Sequence, residues 1–338
     1  MSKKIALVLG WVLICANTAG LHAQDVERNS NVQKHVDAAV KTAGKMWAQE
    51  AKFFCSTEQE IAAMHILPSA TQNDPPESRG AEPQKVFDNL YFVGTKEVTT
   101  WVITTRAGYI MIDSGYAGEE ETTMIAGMLK LGLDPAKIKY VLITHGHGDH
   151  FGGALYLQKH YGAHVYMSAG DWDYIEPKPG SKKKEASGLG SQPARDLVAV
   201  DGEPISLGEE TVTPVLIPGH TPGSMGFIFP VTDNGKPFMV GLFGGTILNP
   251  QQRFPVTLFE QYLQSIKHFE ETAEKMKVDV ELENHPIMDG TFDKLAALKD
   301  RKPGQRNPFV VGKAEVRKFL EVMIECTEAQ IVRHGGTI

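Results

Sequence analysis

Tyr140-Val141-Leu142-Ile143-Thr144-His145-Gly146-His147-Gly148-Asp149-His150 is the stretch on which the reading of this chain turns. Four apolar or aromatic residues run into a cluster where three of the chain's twelve histidines and one aspartate fall within six positions. An apolar strand ending in Gly-spaced imidazoles and a carboxylate puts candidate metal ligands on a loop at a strand end. The two intervening glycines let the backbone curl so that alternate side chains converge. Imidazole and carboxylate are borderline-to-hard donors, a set that suits a hydrolytic zinc ion.

Working outward, the bulk of the chain is ordinary. Its 338 residues suffice for one large domain or two smaller ones, and 42% hydrophobic with 22% charged residues is globular composition. A formal net charge of −7 disfavours nucleic acid as a partner. No apolar run long enough to span a bilayer occurs beyond the N-terminus. At the N-terminus, Lys3 and Lys4 precede the apolar stretch 5–16 and the segment Leu21-His22-Ala23. That order reads as a secretory signal peptide over 1–23, cleaved after Ala23, and it implies a secreted or periplasmic protein with no stable membrane insertion once the peptide is removed. The bulky Ile14 ahead of Cys15 argues against lipid attachment there. Cleavage removes two lysines and no acid, taking the charge from −7 to −9, and leaves Cys55 and Cys326. Two cysteines in an exported chain make a disulfide possible across 271 positions, which the sequence alone does not settle.

Residues 24–84 read as an N-terminal extension ahead of a main domain over 85–338. Val32, Val36, Ala39, Val40, Ala43 and Trp47 recur at helical spacing, and the Pro-rich stretch 68–83 reads as a linker. From residue 85 the pattern predicts strands over 87–93, 99–105 and 109–113, a helix over 119–131, a strand over 138–143, a helix over 152–161, a strand over 164–167 and a short helix over 169–175. The segment 176–193, with Lys182-Lys183-Lys184 among prolines and glycines, reads as a mobile basic loop that could lie over an anionic substrate. Strands over 205–207, 211–217, 227–231 and 238–242 follow. Helices over 256–276, 291–299 and 313–332, with a last strand over 278–282, complete an α/β chain in two similar halves.

Two further histidines stand at predicted strand ends. His220 lies in Ile217-Pro218-Gly219-His220-Thr221-Pro222-Gly223-Ser224, and His285 in Glu283-Asn284-His285-Pro286. A lone histidine is more often structural than a ligand. The shared context, a strand end with turn residues and a cluster needing more donors, reverses that preference here.

Taken together, the His-x-His-x-Asp-His run, the Gly-His-Thr-Pro-Gly-Ser segment and Ile112-Asp113-Ser114-Gly115 resemble three motifs of the metallo-β-lactamase superfamily, with similarity over about residues 85–325. The resemblance implies a four-layer αββα sandwich with a metal site at one edge of two sheets. It implies a first zinc on His145, His147 and His220, and a second on Asp149, His150 and His285. Asp113 would brace the metal loop from a neighbouring strand. A hydroxide held between the two zinc ions would attack a carbonyl carbon, with Asp149 as the catalytic group that orients it.

The branch is read from what is missing. Glyoxalase-like, lactonase and nuclease members carry a bridging Asp after the strand corresponding to Gly241-Leu242-Phe243-Gly244-Gly245-Thr246, and no Asp lies between Asn234 and Asp279. One lactamase subclass carries a Cys there, and none is present. The remaining pattern, together with Asn307-Pro308-Phe309-Val310 and export, is similar to the third subclass of class B β-lactamases. Serines beside that subclass's site contact the substrate carboxylate; here Thr246 alone could supply a hydroxyl. The implied substrate is a small molecule, a β-lactam first and another ester, lactone or amide second. An exported zinc- or partner-binding protein without activity is a third reading. Three protein ligands per metal weigh against it, because structural zinc sites are closed by four.

Overall fold

The computed structural model describes residues 29–57, 60, 76–176, 192–246, 248 and 255–338. The signal peptide over 1–23, the linker stretch 68–75 and the Lys182–Lys184 run lie outside these residues. Seven strands form one sheet in chain order: β1 (Gln84–Lys85), β2 (Leu90–Phe92), β3 (Trp101–Thr105), β4 (Gly108–Ile112), β5 (Ile138–Leu142), β6 (His164–Ser168) and β7 (Leu197–Ala199). The first four pair antiparallel and β4 through β7 run parallel. A second sheet has the order β12-β11-β10-β9-β8, from β8 (Ile205–Leu207), β9 (Glu210–Leu216), β10 (Met225–Asp233), β11 (Lys236–Phe243) and β12 (Val280–Glu283). Within it only β11 and β12 are parallel.

Alternation along the strands divides the apolar residues into three layers of contact. On β3 and β4, Trp101, Ile103, Ile110 and Ile112 point inward to meet Phe227, Phe229, Val240 and Leu242 of the other sheet. Between them, Val102 and Met111 point outward under Met124, Met128, Leu157 and Trp172. On the second sheet's outer face, Ile217, Ile228 and Phe243 lie under Tyr262, Ile266 and Phe269 of the helix Val256–Met276 and Phe319 of the helix Lys313–Arg333. The result is the expected αββα sandwich. A one-residue slip of β4 would reverse both faces, so its register is strongly specified.

The N-terminal helices over 29–43 and Ala48–Phe54 share the second outer core through Ala39, Ala43, Trp47 and Ala51. The Trp47 ring lies 4.9 Å from that of Phe319, and its indole N–H donates to the Glu315 carbonyl at 3.0 Å. His35 meets Glu325 at 2.7 Å, and Cys55 is disulfide-bonded to Cys326. The pairing left open by the sequence is thus made, joining the N-terminal helices to the last one.

Several boundaries differ from the sequence reading. The two halves are unequal, seven strands against five, because β1 and β7 add to the five strands that the sequence predicts for the first half. Strand 87–93 shrinks to Leu90–Phe92, since the amides of Val86 and Phe87 both turn back onto the Leu90 carbonyl. Within the stretch read as linker, Pro76–Arg79 forms a helical turn whose Arg79 pairs with Glu119. Helix 152–161 starts at Ala154, and a separate turn, Gly148–Phe151, stands before it.

Candidate metal centre

The ligands stand beyond the carboxyl ends of β5 and β12, each in a parallel pair, where open α/β sheets characteristically place their sites, and of β9, which pairs antiparallel. In register, Ile112 of β4 pairs with Leu142 of β5, so Asp113 and Thr144 emerge side by side. Across the sandwich, Phe243 pairs with Glu283, placing Asn284 and His285 beside the Gly244 segment. Two main-chain bonds join the rims: Met225 N to Thr144 O at 2.7 Å and Thr99 N to Asn284 O at 2.9 Å.

Asp113 is the hub of the metal loop. It is buried and adopts φ +59°, an uncommon conformation for a residue with a side chain. Its Oδ1 accepts the Thr144 amide at 2.8 Å, and its Oδ2 accepts the Thr144 hydroxyl and His150 Nδ1–H, both at 2.8 Å. The Thr144 hydroxyl lies 3.0 Å from His145 Nδ1. Accepting that ring N–H while donating to Asp113 leaves His145 Nε2 with its lone pair free. Likewise His285 Nδ1–H donates to the Glu97 carbonyl at 2.8 Å, freeing its Nε2.

Six predicted ligands form two groups, His145–His147–His220 and Asp149–His150–His285, with the donor atoms of each group within 4.8 Å of one another. In the first, His220 Nε2 stands 2.9 Å from His147 Nδ1 and 3.1 Å from His145 Nε2. In the second, His150 Nε2 lies 3.3 Å from both His285 Nε2 and Asp149 Oδ2. Tetrahedral nitrogens around zinc stand about 3.3 Å apart, so these four contacts are within a few tenths of an ångström of the spacing an ion needs. Lone pairs of His150 and His285 aimed at each other, their other ring nitrogens already donating, call for a cation between them. The donor chemistry fits a metal at each position.

Electrostatics agrees. Burial, reinforced by the neighbouring imidazoles, holds His145 well below its ordinary pKa, and burial also lowers His147. His285 is pushed down to about 4 by burial and His150. These rings are neutral at pH 7, the state a ligand requires. For His150 burial acts downward, but Asp149 and Asp113 outweigh it and raise the ring to about 10, so without a metal a proton occupies the cation's place. Burial alone would raise Asp149; His150, His285 and His147 instead hold its carboxyl below the usual carboxylate range.

Three local expectations need correction. Gly146 and Gly148 are absent from the left-handed region, so backbone curl is not their reason. A Cβ at Gly146 would come within 2.9 Å of Tyr174 and Ile175, which pack against the loop. The cluster is also not wholly a loop, since Asp149 and His150 sit on the Gly148–Phe151 turn. Thr246, expected to meet substrate, is buried. Its hydroxyl donates to Glu283 and to the Phe243 carbonyl, so it faces the core rather than the site. Nor does the preceding strand end leave room for a ligand: a Cβ at Gly244 would stand 2.1 Å from the Met225 carbonyl oxygen.

Sequence reasoning missed Asp171. Ser168-Ala169-Gly170-Asp171 has the spacing of a capping box, and the Ser168 hydroxyl does accept the Asp171 amide at 3.1 Å. The Asp171 carboxylate, however, turns away to accept the amides of Gly146 and Gly223 and the hydroxyl of Thr221. Burial lifts it to about 6 against those three donors.

Known structures show the same architecture. FEZ-1 metallo-beta-lactamase from Legionella gormanii superposes with TM-score 0.66 at 26% identity, over 76% of this chain and 98% of that one. BJP-1, a subclass B3 metallo-beta-lactamase of Bradyrhizobium japonicum, gives TM-score 0.63 at 27% identity, over 77% and 97%. Residues 93–233 match the profile of the metallo-beta-lactamase superfamily. Over that span the chain is similar to the metallo-β-lactamase superfamily. Its fold is similar to those of the two lactamases across most of its length. Among curated relatives, the hydroxyacylglutathione hydrolase of Methylococcus capsulatus is 34% identical over 107 residues, 31% of this chain. The match spans only about a third, 35%, of that relative's length.

Proposed function

We propose that this chain is a hydrolase of the metallo-β-lactamase superfamily that is exported, carries two zinc ions and opens the amide of a β-lactam ring. One observation carries the reading: two complete sets of three donors, with no carboxylate from the 241–246 segment between them and no space for one at Gly244. Similarity to a subclass B3 enzyme over 77% of the chain supports it.

When bound, the zinc pair polarises the carbonyl and lowers the pKa of a coordinated water from about 15.7 towards 7. His145, His147 and His220 would hold one ion, and Asp149, His150 and His285 the other. His145 and His150 are fully enclosed, whereas His147, Asp149, His220 and His285 are half-buried, so substrate enters on their side. Asp149 orients the attacking water through a carboxylate oxygen and takes its proton there. Asp113 and Thr144 keep His150 and His145 aimed, so little reorganisation accompanies the reaction.

A second reading, hydrolysis of another ester or thioester, is favoured by the likeness to hydroxyacylglutathione hydrolase and by the occupied Thr246 hydroxyl, which leaves that segment nothing for a lactam carboxylate. Turnover of a carbapenem, a cephalosporin and an acyl-glutathione thioester by the zinc-loaded protein decides between them. β-Lactam hydrolysis above a His147→Ala control upholds the first reading. Thioester turnover with none of either β-lactam replaces it by the second. Export is tested by N-terminal sequencing of protein recovered from the periplasm, which should begin at Gln24; an intact Met1 terminus there rules out the cleavage.

A further inference from the structure

Two buried carboxylates hold the donor sets, and one of them, Asp171, touches the segments of the first set alone. Asp171 is fully buried on the helix Ala169–Ile175, and its own helix offers the carboxylate nothing. Oδ2 accepts the Gly146 amide at 2.7 Å and the Thr221 hydroxyl at 2.6 Å, and Oδ1 accepts the Gly223 amide at 2.8 Å. Gly146 stands between His145 and His147, and Thr221 follows His220. One side chain therefore clamps together the two separate segments, from the ends of β5 and β9, that bring the first three nitrogens into register. Thr221 is locked in turn: its amide and hydroxyl both bond Ser224 Oγ, at 3.0 and 2.7 Å. None of the Asp171 bonds reaches Asp149, His150 or His285. Asp113 differs, because it holds His150 directly and His145 through Thr144, and so bears on both sets.

We infer that Asp171 is a positioning residue for the His145–His147–His220 set alone, fixing that set's metal affinity independently of the Asp149–His150–His285 set. The inference rests on the metal-centre reading above. A buried carboxylate that only stabilised the fold would move both sets together or neither. One that spaces the first three nitrogens moves only theirs.

The test is zinc titration of the metal-free full-length chain against a competing chelator, with imidazole nitrogen NMR assigning each binding step to its histidines. The variants are Asp171→Asn, which keeps the shape but loses one acceptor, and Thr221→Val, which removes one donor. Loss of such an outer partner weakens metal binding by about 10–100-fold, so Asp171→Asn should weaken the His145–His147–His220 step by that factor and leave the other within about twofold. Asp113→Asn should weaken both. Thr221→Val should shift the same step as Asp171→Asn by less, and it decides alone if Asp171→Asn does not fold. Equal weakening of both steps, or a lowered melting temperature with both affinities at the wild-type value, overturns the inference while leaving the metal centre standing. Wild-type protein whose His145, His147 and His220 resonances ignore zinc overturns the metal-centre reading and the inference with it.

Discussion

Replacing both Cys55 and Cys326 by Ala isolates the contribution of the long crosslink. The bond closes a loop of sequence separation 271, nearly the whole described chain. For a loop of that length the chain-entropy relation gives about 5.6 kcal/mol at 25 °C. That figure is an upper bound, because real unfolded chains are more compact than the ideal one and measured losses run at about 2–5 kcal/mol. The native-state cost of the change itself is small. Both cysteines are buried among apolar neighbours, and the surrounding bonds persist: Gln330 to the Ser56 carbonyl at 2.9 Å and Arg333 to the Cys55 carbonyl at 3.1 Å. We therefore expect the double variant to fold and to lose about 3–5 kcal/mol in guanidinium unfolding. The wild-type protein under reductant should reproduce that loss. Unfolding curves that coincide for wild type and variant would refute the argument, showing that the N-terminal helices and the last helix stay associated in the unfolded chain or that the bond never forms.

Three more outcomes follow from individual side chains. Burial pushes Glu50 up to about 7 from 4.5, so it folds protonated; its contribution is complete below about pH 4.5 and is lost as pH rises through 7. Glu50→Gln should flatten that fall in a stability-against-pH series, and an unchanged slope between pH 4.5 and 7 contradicts it. Thr246→Val strands the buried Glu283 oxygen and should cost about 1–3 kcal/mol in thermal unfolding, with KM unchanged for whichever substrate is turned over; a raised KM at wild-type stability restores Thr246 as a substrate contact. Removing metal with a chelator should lower the melting temperature, since zinc at 100 times its Kd stabilises each site by about 2.7 kcal/mol. Identical melting curves with and without chelator count against any metal site.

Much of this centre was legible because its ligands obey local rules. His145, His147, Asp149 and His150 fall within six consecutive positions, and His220 and His285 each follow a strand with turn residues around them. Asp113 was legible only through the motif around it, since nothing in Ile112-Asp113-Ser114 reports a left-handed backbone. Asp171 was hidden because its partners, Gly146 and Gly223, are backbone amides from distant segments, and its own sequence context points to a helix cap instead. Thr246 misled for the converse reason. Its orientation was decided by Glu283, a buried acid in a strand whose pattern predicts apolar residues. The two-residue β1 stayed invisible because so short a strand carries no periodicity.

The central claim is that six side chains from three separate segments bind two ions. Crystals of the zinc-loaded protein, measured at the zinc absorption edge, test it most directly. Two anomalous peaks are predicted, one among His145, His147 and His220 and the other among Asp149, His150 and His285. A map with no peak at either set, or with zinc held elsewhere on the chain, contradicts the account.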